Sequence, residues 1–142
     1  MPQGKWKAVF LSICLLAGGT VHAKENAAIK TEILMQTNSS WDGAAYTSYP
    51  AGPPEISVVR ITIPPHTQME WHTHPMPNVG YVLSGDITVE KKTGEKRHLT
   101  AGQALPETVN TLHRGVTGDS EAVLVVFYAG AKGMPLAQPE KQ

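Results

Sequence analysis

The chain has 142 residues, with 12 Lys+Arg against 12 Asp+Glu, 41% hydrophobic residues and only 17% charged ones. This balance excludes a disordered acidic tail and a basic nucleic-acid-binding domain, and it fits one globular domain. The 13 Gly and 11 Pro interrupt the chain about every six residues, which leaves little room for long helices and favours short strands joined by turns, an all-β fold.

Residues 1–23 read as an export signal rather than as part of the fold. Lys5 and Lys7 form a positive start, Ala8 to Gly18 an apolar run, and Val21-His22-Ala23 ends in the small residue that a signal peptidase needs. Cleavage after Ala23 is expected, which makes the mature chain periplasmic or secreted. The apolar run is shorter than the ~20 residues that span a bilayer, so no membrane association is expected after cleavage. Cys14, the only cysteine, leaves with the signal. The remaining 119 residues therefore form no disulfide and must depend on a packed core.

Residues 24–54 read as an N-terminal arm with a first strand at Ile29 to Met35, broken by Asn38-Ser39-Ser40 and Asp42-Gly43. Trp41, Tyr46 and Tyr49 give this arm aromatic rings that need burial or that close over a ligand. From Glu55 the pattern sharpens: Ile56, Val58, Val59, Ile61 and Ile63 form a β-branched run that stops at Pro64-Pro65. Met69 to His74 alternates. Val79 to Leu83 and Ile87 to Glu90 flank a tight turn at Ser84-Gly85-Asp86, and Lys96 to Thr100 returns from a second turn at Lys92 to Glu95. Glu121 to Tyr128 is apolar on both faces and reads as a central strand. Seven or more short strands at this spacing predict a sandwich or a jelly-roll barrel over residues 55–132. Residues 133–142 read as a loosely held tail.

The chemistry is concentrated in Glu70-Trp71-His72-Thr73-His74-Pro75. Alternate residues of a strand share a face, so His72 and His74 direct both imidazoles to one side, about 6.6 Å apart at Cα. Rings so placed can converge on one metal ion at about 2.0–2.1 Å from each nitrogen. A third ligand must come from another strand, and His113 is the best candidate.

His72-x-His74, three residues, Asn78, six residues and Gly85 resembles the first motif of the cupin superfamily, and Gly102 and His113 fall at the spacing of the second. The similarity runs from His66 to Thr117. It implies a jelly-roll cupin barrel of short antiparallel strands, a site for one divalent transition metal ion (Zn, Cu, Fe, Mn or Ni), a small-molecule ligand, and pairing into a homodimer through edge strands. His66 stands where the first motif has Gly, and Asn78 where it has Glu. Thr108, Asn110 and Thr117 stand where the second motif has Pro, Gly and Asn. The loss of the Glu removes negative charge from the family's ligand set. His72, His74 and His113 are carried over as ligands, Asn78 as a weak fourth, and Glu70, of the same strand parity, as another way to complete the site.

Glu107 is the candidate general acid or base, with an exposed ion pair to Arg114 as the competing reading. The functional expectation is an exported, metal-dependent cupin enzyme acting on a small molecule as a dioxygenase, lyase or isomerase. The alternative is a module that binds a small ligand or a metal without turnover.

Overall fold

The computed structural model describes residues 28–141, so the segment read as an export signal lies outside the described residues. Nine strands follow one another: β1 (Pro54–Ile63), β2 (His72–Thr73), β3 (Asn78–Ser84), β4 (Asp86–Lys91), β5 (Lys96–Thr100), β6 (Ala104–Pro106), β7 (His113–Val116), β8 (Ala122–Ala131) and β9 (Gln138–Pro139). They form two sheets, one ordered β1-β8-β3-β6 and the other β5-β4-β7-β2-β9, with every strand pair antiparallel. The all-β, jelly-roll expectation holds.

The long pair β1 and β8 shows how the sequence pattern becomes a wall. Ten residues pair in unbroken register, with Ile61 opposite Leu124, Val59 opposite Val126 and Ser57 opposite Tyr128. These residues face inward, while Ile56, Val58 and Phe127 lie on the outer face and are exposed. On the other side β8 pairs with β3, so it is the central strand its continuous apolar run predicts. The core between the sheets is built from Ile63, Val82, Ile87, Val89, Leu99, Leu105 and Val126, all buried. Each such side chain stabilises the fold by about 1.5–3 kcal/mol through removal of apolar surface from water.

The Ser84-Gly85-Asp86 turn joins the two sheets, because β3 belongs to one and β4 to the other. Gly85 has φ +74°, and a Cβ there would lie 1.9 Å from the Glu121 carbonyl oxygen. No side chain fits that position, which is the physical content of the motif's glycine.

Three segments differ from expectation. Ile29 to Met35 forms no strand; Ile33 and Leu34 are adjacent, so no single strand face collects both, and both are exposed. The arm docks further on instead, through the Trp41 amide to the Pro106 carbonyl at 2.8 Å and the Lys91–Asp42 ion pair at 2.8 Å. Met69 to His74 narrows to a two-residue strand, flanked by isolated bridges from Gln68 to Val116 and from His74 to Val109. The C-terminal segment is tied down rather than loose: β9 pairs with β2, placing Pro139 opposite His72, and the Glu140 amide donates to the Trp71 carbonyl at 2.9 Å.

Candidate metal centre

Strand pairing brings the three histidines together. His72 on β2 lies directly opposite His113 on β7, a position in which cross-strand side chains share a face at close range. His74, just beyond β2, is held by a parallel bridge to Val109. The ring centroids are 4.9 Å apart for His72 and His74, 4.7 Å for His72 and His113, and 5.0 Å for His74 and His113. One ring nitrogen from each residue lies within 4.8 Å of the others, a group able to hold a metal ion. His74 and His113 are buried and His72 is half-buried.

The hydrogen bonds of these rings decide which nitrogen faces inward. Nδ1 of His72 bonds the Glu70 carbonyl at 2.8 Å, Nδ1 of His74 the Leu136 carbonyl at 2.7 Å, and Nδ1 of His113 the Thr111 carbonyl at 2.8 Å. A carbonyl oxygen only accepts, so in each ring Nδ1 carries the proton and, in the neutral imidazole, Nε2 keeps its lone pair. A backbone carbonyl behind a ligating imidazole is the usual device for fixing its tautomer and orientation. All three rings have one. The donor set therefore fits a divalent ion of the kind that accepts imidazole nitrogen.

Glu107, the candidate general acid or base, reaches the same cluster. Its Oε2 lies 2.9 Å from Nε2 of His74 and 3.1 Å from Nε2 of His113. The competing reading of an exposed pair with Arg114 is corrected, because Arg114 bonds Glu90 at 2.7 Å and its guanidinium lies over the Trp71 ring. Burial alone would push the Glu107 carboxyl up, but the contacts with His113 and His74 outweigh it and hold the group well below the usual carboxylate range. Burial pulls the His113 imidazole down, and the Glu107 contact more than reverses this, leaving it raised. At His72, farther from the carboxylate, burial prevails and the imidazole is lowered.

Asn78 and Glu70 take other places. Asn78 is buried, but its amide nitrogen donates to the Met76 carbonyl at 3.3 Å, and it is not among the residues lining the cavity beside the histidines. The backbone bond uses only the Asn78 amide nitrogen, and the oxygen that would serve a weak ligand is not engaged by it. Its Oδ1 is buried without a partner. Glu70 is exposed and serves the site through its carbonyl alone, since β2 is too short to carry the parity that would aim its carboxylate inward.

The cavity beside the rings has a volume of about 180 Å3. Its walls are apolar, with Ile61, Ile87, Val89, Leu124 and Val126 facing the histidines, Glu107 and Tyr128. Burial, reinforced by the Glu107 charge, pushes the Tyr128 phenol up to about 12, so it stays a neutral hydroxyl. Larger grooves of about 540 and 400 Å3 lie elsewhere, around Trp41 and around Tyr46 and Tyr49, away from the histidines.

Three residues were missed in the sequence, together with the bond that a fourth, Tyr46, makes. Leu136 orients His74, Ala137 lines the cavity, Tyr128 closes one wall, and the Tyr46 hydroxyl donates to the Glu107 carbonyl at 2.6 Å. Tyr128 alone had a local signal, being the inward residue of β8 four beyond Leu124. Leu136 acts through its backbone carbonyl, which no residue type announces.

The cupin domain family matches residues 59–128, a stretch that holds all three histidines and Glu107. No curated protein matches the chain by sequence. Among solved structures, the chain is similar to the DMSP lyases RdDddP and RnDddQII (20% identity, 61% of this chain and 44% of that one, TM-score 0.55). It is also similar to the DMSP lyase DddQ from Ruegeria pomeroyi DSS-3 (17% identity, 70% and 49%, TM-score 0.55). A third likeness is to a conserved protein with a double-stranded beta-helix domain from Klebsiella pneumoniae (19% identity, 68% and 92%, TM-score 0.52). The match covers about half the length of the lyase chains, and at these identities the likeness is one of fold. With two facing sheets, a barrel interior carrying three histidines, and the family match over the strands that hold them, the chain belongs to the cupin superfamily.

Proposed function

We propose that this chain is an exported, metal-dependent enzyme that acts on a small molecule at the three-histidine centre, with a reaction of dioxygenase, lyase or isomerase type. The observation that carries the reading is the convergence of three imidazoles, each with Nδ1 committed to a backbone carbonyl. Two buried rings and one half-buried ring with converging nitrogens are costly to assemble without a cation to share them. A divalent ion held by His72, His74 and His113 would keep coordination positions open and act as a Lewis acid toward a bound oxygen atom.

The residues of this chain supply the rest. The apolar walls exclude water and accept a substrate of few heavy atoms, on the scale set by a cavity of about 180 Å3. Tyr128 presents a neutral phenol to that space, able to donate a hydrogen bond to a developing negative charge. Glu107 anchors the negative side of the centre. The reaction type rests on this open centre and not on the relatives in fold.

The alternative, a module that holds metal or ligand without turnover, is favoured by one observation: the first motif's carboxylate position is Asn78, buried and bonded to backbone. Elemental analysis of the purified mature chain beside His72→Ala separates the readings from a metal-free protein. One first-row metal per chain, lost in the variant, supports the enzyme; a metal-free wild type of unchanged fold refutes it. Turnover is then sought among small organic acids, phenols and sugars, and none with the loaded protein would favour the binding module. Export is tested by sequencing the N-terminus of the fractionated protein, expected at Lys24.

A further inference from the structure

We infer that Glu107 is the fourth metal ligand of this centre, so that the carboxylate missing from β3 is supplied from the segment between β6 and β7. The inference rests on the metal-binding reading above and deepens it. It replaces the expectation that Glu107 is a free proton carrier.

Glu107 Oε2 is 2.9 Å from Nε2 of His74 and 3.1 Å from Nε2 of His113. Two adjacent ligands of one ion, each about 2.1 Å from it and at right angles, lie about 3 Å apart. Oε2 thus has the separation from both rings that a shared ion would impose.

Each ring's Nδ1 proton is committed to a carbonyl, so the neutral rings offer Glu107 only lone pairs, and an ionised carboxylate is itself an acceptor. Acceptors this close repel unless positive charge lies between them. One divalent ion satisfies all of them, and the carboxylate restores the negative charge that Asn78 cannot provide.

The surroundings are built for this carboxylate. Gly80 lies beside it on the neighbouring strand β3, and a Cβ at Gly80 would lie 3.3 Å from Glu107 Oε1, tighter than ordinary contact. The Glu107 backbone is held on both sides, its amide donating to the Asn78 carbonyl at 3.0 Å and its carbonyl accepting from the Tyr46 hydroxyl at 2.6 Å. The N-terminal arm therefore helps to set the position of a ligand, although it contributes no ligand itself.

The test uses the mature chain, Co(II) as the probe, and Glu107→Gln and Glu107→Asp beside wild type, with circular dichroism checking the fold. Chelator competition should show Glu107→Gln binding Co(II) more than 100-fold more weakly than wild type, beyond the roughly 10- to 100-fold that loss of an outer partner produces. Glu107→Asp, which keeps the charge, should recover part of the loss. An anomalous-scattering crystal structure of the wild-type complex should place Oε2 about 2.0–2.2 Å from the ion. Unchanged Co(II) affinity in a folded Glu107→Gln, or an Oε2 more than about 3 Å from the ion, overturns the inference while the three-histidine reading stands. A wild type that binds no Co(II) overturns both.

Discussion

The two sheets divide the labour of this molecule unequally. The β1-β8-β3-β6 sheet is built on two ten-residue strands in continuous register, with an inward face of Ile, Val and Leu. The β5-β4-β7-β2-β9 sheet carries His72 and His113 on strands of two and four residues, and its outermost member is the C-terminal segment. The first sheet is held by apolar area, which many residues share. The second is held near the site by single hydrogen bonds from ring nitrogens and backbone amides. Damage to the first should therefore lower stability and spare the centre, whereas damage to the second should do the reverse.

The most severe break is at the junction between the sheets. Gly85→Ala puts a Cβ against the Glu121 backbone and should prevent accumulation of folded protein, read by circular dichroism and soluble yield. Next is Ile63→Ala, which empties a buried position of the long sheet. It should lower unfolding free energy by about 2–5 kcal/mol in denaturant titration and leave metal affinity within about threefold of wild type if the division holds. A chain ending at Pro135 sharpens the comparison from the other side. It loses the Leu136 carbonyl behind His74 and strand β9, and should bind metal about 10- to 100-fold more weakly while keeping the long sheet intact by far-ultraviolet circular dichroism.

The smallest effect concerns the arm. The Asp42 carboxyl is lowered to about 2 from 3.8: burial raises it, but hydrogen bonds from Lys91 and Ser40 prevail. A carboxyl lowered in the folded state stabilises above its unfolded pKa and stops doing so as pH falls through its folded pKa. Asp42→Asn should therefore cost about 1–2 kcal/mol at neutral pH, and the gap to wild type should close between pH about 4 and about 2. A gap that persisted at lower pH would show that the arm is held by packing alone.

The same division explains what the sequence revealed. Strands β1, β3, β4, β5 and β8 were legible because alternation and β-branching act locally, within the strand itself. The three histidines were legible because strand parity and motif spacing are also local, even though the rings meet across the barrel. The C-terminal segment was not: its role depends on the Leu136 carbonyl and on pairing with β2, and backbone groups look alike at every position. The motif position of Asn78 was legible, but not that its amide nitrogen turns to the Met76 carbonyl while its oxygen stays buried without a partner. Glu107 was found as chemically significant, but the spacing of six residues to His113 could not show that a turn folds its carboxylate back between two rings.

The central claim is that imidazoles from separate stretches of chain share a single cation. Calorimetric titration of the metal-free mature protein with Zn(II) at pH 7, with His113→Ala as the companion, tests it directly. The account predicts one ion bound per chain and no saturable binding to a folded variant. Heat-silent wild type, or equal binding by the variant, would contradict it.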